Sequence, residues 1–173
     1  AMFNQAATTR LHMSSSSDFA FGTGDFTLEC WVKPHNLSGT LETIFDSGNT
    51  GSNNYDVLYL GLNESQIHVG SYAGYYNRAY VTNTNDEWFH LAACRSGTTL
   101  RMFKNGQLIN TTTNNTDLKS GGEINIGING YVSSQPLKSS ISNFRAVKGQ
   151  ALYTSSFKPP TEPLTTTSQG ATA

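Results

Sequence analysis

The sequence predicts an all-β domain made of two packed antiparallel sheets, and three features carry that prediction. Charged residues make up only 13% of the 173-residue chain, against about 25% in ordinary soluble domains, and Ser, Thr, Asn and Gly fill the gap. No stretch repeats apolar residues at helical spacing over three turns. Alternating or continuous apolar runs of strand length recur instead, separated by turn-forming clusters. Several of these runs are apolar on both faces, which suits two large stacked sheets better than a small barrel. The length fits one domain with a sizeable core. Residues 9–164 are expected to form it, with a flexible N-terminus at 1–8 and a flexible tail at 165–173.

Taken in order, Thr9 to Met13 reads as a short edge strand ahead of a flexible Ser14 to Ser17 run. Phe26 to Pro34 (FTLECWVKP) is a strand with Leu28, Cys30 and Val32 on one face and Trp31 on the other, stopped by Pro34. Leu41 to Asp46 follows, closed by the turn-rich Ser47 to Asn54. Tyr55 to Leu62 and Gln66 to Tyr72 read as a hairpin, because Asn63, Glu64 and Ser65 supply turn chemistry between apolar runs. Tyr72 to Tyr80 reads as a loop. Glu87 to Arg95 is a strand, and Thr98 to Lys104 pairs with Gln107 to Thr112 across Asn105-Gly106, two residues that accept the positive φ of a type I′ turn. Gly122 to Ile128 and Ile141 to Lys148 add two strands. Pro159, Pro160 and Pro163 then punctuate a tail that reads as too polar to pack. No internal repeat is present.

Several functional classes are disfavoured. The 11 basic and 12 acidic residues leave a formal charge of -1 and form no basic stripe, so nucleic acid is not an expected partner. No apolar segment approaches the roughly 20 residues that span a bilayer, so membrane insertion is not expected either. No charged-then-apolar leader opens the chain, and Ala1 before Met2 reads as a cloning remnant. Cys30 and Cys94 are too few for a disulfide framework and lie near no Cys/His grouping. Each sits in an apolar strand, where a free, buried thiol is expected.

Taken as a set, GTGDFTLECWVKP (22–34), WFHLAACRSG (88–97), LRMFKNG (100–106), INIG (124–127) and ISNFRAVKG (141–149) resemble the laminin-G-like, concanavalin A-like lectin family. Their order and spacing match from about residue 18 to 164, and Trp88, His90 and Asn105-Gly106 fall on its most recognisable positions. The resemblance implies a jelly-roll of two antiparallel sheets. The ending ISNFRAVKGQALYTSSFKPPTEPLT is more specifically similar to the variant found in bacteriophage and marine microbial surface proteins, which implies a virion or an extracellular, cell-surface setting. Residues 1 to 13 depart from the family's longer first strand. The short edge leaves room for a neighbouring subunit, a homo-oligomer or a further segment to complete it.

Catalysis is not expected. Glucan-cutting enzymes of this fold carry acidic residues at alternate strand positions, so that nucleophile and acid/base face one sugar. Here Asp86 and Glu87 are adjacent and would point oppositely, and Glu29 has no acidic partner two residues away. His90, Ser96 and Asp46 lack a nucleophile-elbow pattern, and His90 reads as a buried strand residue with a hydrogen bond inside the sandwich.

The stretch that points to binding is Tyr72 to Tyr80, where Tyr72, Tyr75, Tyr76 and Tyr80 cluster with Asn77 and Arg78. A sugar offers apolar C–H faces ringed by hydroxyls, and so needs an aromatic platform beside planar amide or guanidinium donors. Packed strand tyrosines with surface hydroxyls would give the same pattern. Trp31 is a second candidate platform, with a covered sheet aromatic as its alternative. The resemblance also implies a rim calcium position at Asp56 and Asn129; one carboxylate with neutral helpers would bind weakly, and no other cofactor is expected. Asn36, Asn63, Asn110 and Asn114 open N-x-Ser/Thr sequons. Two readings remain open: a module that binds a glycan at a virion or cell surface, and a structural virion protein, such as a capsid decoration or fibre component, that contacts other subunits.

Overall fold

The computed structural model describes residues 1–4, 6, 9–48, 57–71, 75–118, 122–130 and 135–165, with Ser71, Tyr75 and Tyr76 described in backbone only. The chain folds into eleven strands: β1 (Leu11–Met13), β2 (Phe26–Pro34), β3 (Glu42–Asp46), β4 (Tyr59–Leu62), β5 (Gln66–Ser71), β6 (Tyr75–Tyr80), β7 (Phe89–Ser96), β8 (Thr99–Lys104), β9 (Gln107–Thr113), β10 (Ile124–Ile126) and β11 (Ser139–Lys148). They form a six-stranded sheet, β1-β10-β3-β4-β5-β6, and a five-stranded sheet, β11-β2-β7-β8-β9, antiparallel throughout. A single turn of 3-10 helix at Ser17–Phe19 is the only helical segment among the described residues. These are the two antiparallel sheets that the sequence predicts, in the jelly-roll that the resemblance implies.

Alternation along the strands fills the space between the sheets. Leu28, Cys30 and Val32 of β2, Leu91 and Ala93 of β7, Leu60 and Leu62 of β4, and Ile67 and Val69 of β5 meet in one core. Phe3, which the sequence places in a flexible N-terminus, belongs to it at 2% exposure. Its N–H donates to the Ser139 carbonyl at 2.9 Å. The ring lies so close to Gly127 that any Cβ there would fall 2.4 Å from it, at a φ of +96° that also favours glycine. At one end Arg95, fully buried, donates to the carbonyls of Gly22, Gly24 and Thr116 and to the Asn114 amide oxygen.

Two further sequence expectations are corrected. The Tyr72–Tyr80 stretch is not a loop throughout, since Tyr75–Tyr80 is the edge strand β6, with Gln66 opposite Tyr80 and His68 opposite Arg78. Tyrosine suits a pleated, half-buried surface, and that preference outweighs the loop signal of the intervening Asn and Arg. The proline-rich ending is likewise not too polar to pack. Residues 150–165 form a strap across the outer face of the five-stranded sheet, where Tyr153 and Phe157 stack at 3.5 Å and pack with Ala92, Cys94 and Phe103. A sheet face this apolar needs a cover. Cys30 and Cys94 are free and buried as expected, Cys30 in the core and Cys94 beneath the strap. Burial pushes the Cys94 thiol up to about 11.

Candidate functional site

The β5–β6 hairpin presents an aromatic and polar patch on the outer face of the six-stranded sheet. Because Ile67 and Val69 turn into the core, their neighbours Gln66 and His68 take the opposite face. Across the ladder, Tyr80 and Arg78 stand opposite them. Tyr80 is 76% exposed and Arg78 is exposed, whereas His68 is buried. His68 Nε2 donates to Gln66 Oε1 at 2.7 Å, which takes the acceptor end of that amide and leaves its NH₂ end as the donor. Burial, with the Arg78 guanidinium beside it, pushes His68 down to about 4, so it stays neutral in ordinary buffers. The edge is fixed to the other sheet, because the Asn110 side-chain amide donates to the Arg78 carbonyl at 2.7 Å.

The predicted residues are thus partly brought together. Arg78 and Tyr80 share the outer face. Asn77, at the intervening position opposite Val69, takes the inner face with Ala79, and its Nδ2 is buried without a hydrogen-bond partner among the described residues. Tyr75 and Tyr76 lie in β6, opposite Ser71 and Gly70. Tyr72 lies outside the described residues, as does Asp56. Asn129 is buried at the rim, with its Nδ2 3.5 Å from Gln135 Oε1, close to an Asp46 carboxylate that accepts the N–H groups of Gly48 and Gly130. No group of three or more His, Cys, Asp or Glu that could hold a metal is found among the described residues.

On the five-stranded sheet, Glu29 is fully buried beneath the strap. Its Oε1 accepts from Arg145 Nε at 2.8 Å and from Arg145 Nη2, and its Oε2 accepts from His90 Nε2 at 3.1 Å and the Tyr153 hydroxyl at 2.9 Å. Burial works to raise this carboxyl, but the bonds from His90 and Arg145, the Arg145 charge and the Tyr153 bond together hold it below its ordinary value. Glu29 therefore stays ionised with both oxygens engaged, and His90 is the hydrogen-bonded strand residue expected. Asp46, in the other sheet, is not assembled with His90 into a triad. Trp31 is half-buried, and its indole N–H donates to the Pro160 carbonyl at 3.3 Å.

The family model of the concanavalin A-like lectin/glucanases superfamily matches residues 7–152. The chain belongs to that superfamily. No curated protein matches its sequence. Among solved structures it is similar to domain 4 of AbnA, a GH43 extracellular arabinanase from Geobacillus stearothermophilus, in complex with arabinotriose: 17% identity, TM-score 0.64, covering 87% of this chain and 70% of that one. The Ruminococcus gnavus IT-sialidase CBM40 bound to α2,3 sialyllactose is similar at 12% identity and TM-score 0.65, covering 83% and 94%. Domains LG4-5 of the mouse laminin α1 chain are similar at 12% identity and TM-score 0.63, covering 87% of this chain and 41% of that one. At such identities the likeness is one of fold.

Within this superfamily fold, the sequence reading missed Gln66 and His68 as members of the β6 patch. The signal was available, since alternation in Gln66-Ile67-His68-Val69 puts both polar residues on the face away from the core. The composition of the tyrosine segment reads as a loop, and a loop has no register to pair with β5.

Proposed function

We propose that this chain is a non-catalytic carbohydrate-binding module that engages its glycan on the outer face of the β5–β6 hairpin, in a virion or cell-surface setting. The observation that carries the reading is Tyr80, a 76%-exposed ring on an edge strand, sharing a face with the Arg78 guanidinium and the Gln66 amide. An aromatic platform beside planar donors is what a saccharide ring requires. Arg78 adds a fork that pairs with a sugar carboxylate as well as with hydroxyls. Tyr72, Tyr75 and Tyr76 adjoin the same proposed site by their place in the chain, whereas Asn77, on the inner face with Ala79, does not. Two of the similar structures hold arabinotriose and sialyllactose. The reading without catalysis rests on the missing pair of acidic residues at alternate strand positions, and Glu29, whose oxygens are engaged away from solvent, is consistent with it. Calcium at the Asp56–Asn129 rim is proposed only as a weak ligand, because one carboxylate and an amide fall short of the six to eight oxygens the ion takes.

The test is a glycan array followed by calorimetry on the hits, with Tyr80→Ala and Arg78→Ala combined. Affinity is expected to fall by roughly 1–3 kcal/mol while folding stability changes by less than about 0.5 kcal/mol. Unchanged affinity would remove the site. A second reading, subunit assembly, is favoured by Leu11 and Met13, apolar and exposed on the edge strand β1, and by the exposed Met2, which bridges Ser140 of β11. Concentration-dependent sedimentation abolished by Leu11→Lys would support it.

A further inference from the structure

We propose that the cleft between Trp31 and Trp88 is a second carbohydrate subsite, specific for a neutral pyranose and separate from the β6 patch. It rests on the reading that the module binds sugar, but on none of the β6 residues. The cleft has a volume of about 450 Å³ and is lined by Trp31, Trp88, Ser142, Asn143, Pro160 and Thr161. Trp88, just ahead of β7, is 47% exposed, although Phe89 beside it is buried. Trp31 is held in place by its bond to Pro160 and by the His90 ring, met edge to face at 5.5 Å between centroids. A platform fixed in this way loses little entropy when a ligand stacks on it.

A second, independent feature lies on the neighbouring strand, where Ser142 pairs with Trp31. Pairing of β11 with β2 slips between Ser142 and Arg145, and at that bulge Asn143 adopts a φ of +51°. Bulges re-aim side chains beside functional sites, and left-handed non-glycine residues concentrate there. This one exposes Ser142 and Asn143 at the cleft, with Thr161 of the strap supplying a further hydroxyl. Two indoles with one amide and two hydroxyls match the stacking face and hydroxyl rim of a hexopyranose. None of the six lining residues is charged, which favours a neutral sugar over an acidic one. A proline-rich peptide would compete for the same aromatic surface, although of the two indole N–H groups that of Trp31 is already taken by Pro160.

The chain contains two tryptophans, and both line this cleft, so indole fluorescence reads this site directly. The probes are tetrasaccharides of β-1,3-glucose, β-1,4-glucose, β-1,4-mannose, β-1,4-xylose and α-1,4-glucose at millimolar concentrations, with decaproline as the peptide arm. At least one saccharide is expected to give a saturable emission change in the wild type and in the Tyr80→Ala/Arg78→Ala variant. Asn143→Gly keeps the backbone, since glycine accepts a positive φ, and is expected to weaken that response at least about tenfold. Trp88→Ala, checked for an unchanged melting temperature, is expected to abolish it; if that variant is destabilised, Asn143→Gly decides. No emission change with any saccharide, or a change with decaproline alone, overturns the subsite. If calorimetry still detects sugar binding that depends on Tyr80, the carbohydrate-binding reading survives without it. If neither method detects a sugar, both fail.

Discussion

Two outward faces of this sandwich carry the same three residue types in different circumstances. On the five-stranded sheet, Tyr153, Arg145 and His90 converge on Glu29 beneath the C-terminal strap. On the six-stranded sheet, Tyr80, Arg78 and His68 gather at the β5–β6 hairpin around a neutral amide, Gln66, with Tyr80 and Arg78 in solvent. The difference lies in the partner and the cover. Where a buried carboxylate accepts from all three, the tyrosine, arginine and histidine are committed to the fold. Where the ring and guanidinium are exposed, the same groups can serve a ligand. Residue type alone cannot separate a structural network from a binding surface, but burial and hydrogen-bond partners do.

The comparison breaks most visibly at Arg145. Arg145→Met leaves Glu29 buried without its cation, and removing one partner of a buried pair costs about 3–5 kcal/mol. Chemical denaturation at neutral pH measures it, and a loss under about 1 kcal/mol would mean that Glu29 does not depend on the pair. The pH dependence has a definite sign. In the wild type the Glu29 carboxyl is lowered by folding, so its stabilisation is present above the ordinary carboxylate range and is lost as pH falls through the folded value. In the variant, burial faces less opposition and raises the same group, so its penalty is greatest near neutrality and shrinks on acidification. The stability gap between the two proteins should therefore narrow from pH 7 towards pH 4, and a gap independent of pH would show that Glu29 is not the titrating group.

Much of this architecture was legible from the sequence because its signals are local. Phe26–Pro34 is a strand to the residue, since alternating apolar positions end at a proline. The Asn105-Gly106 turn adopts the two positive φ values, +48° and +73°, that its residues permit. What escaped is non-local. Tyr153 and Phe157 sit among Thr, Ser and Lys and look like tail residues until the apolar outer face formed by Ala92, Cys94 and Phe103 is seen to need covering. In the sequence Glu29 reads as an isolated acid, because its three donors come from β7, β11 and the strap, 61, 116 and 124 residues away. The tyrosine segment stands out by composition, but its division into an outer pair, Arg78 and Tyr80, and an inner Asn77 depends on the register with β5.

The smallest expected effect sharpens the comparison, because it makes the same change on both faces. Tyr153→Phe deletes one hydroxyl that donates to an ionised, buried carboxylate, and Tyr80→Phe deletes one at an exposed edge. Hydrogen bonds to charged groups contribute about 1.5–3 kcal/mol, while surface substitutions away from such features fall within about 0.5 kcal/mol. Tyr153→Phe keeps the ring stacked on Phe157, so its loss isolates the bond from the packing. Tyr80→Phe keeps the stacking face, so it should leave stability unchanged and lower glycan affinity less than Tyr80→Ala does. Equal and small stability losses would mean that the strap hydroxyl is no more committed than the edge one. A loss at Tyr80 as large as that at Tyr153 would return Tyr80 to the fold and remove the platform on which the glycan reading stands.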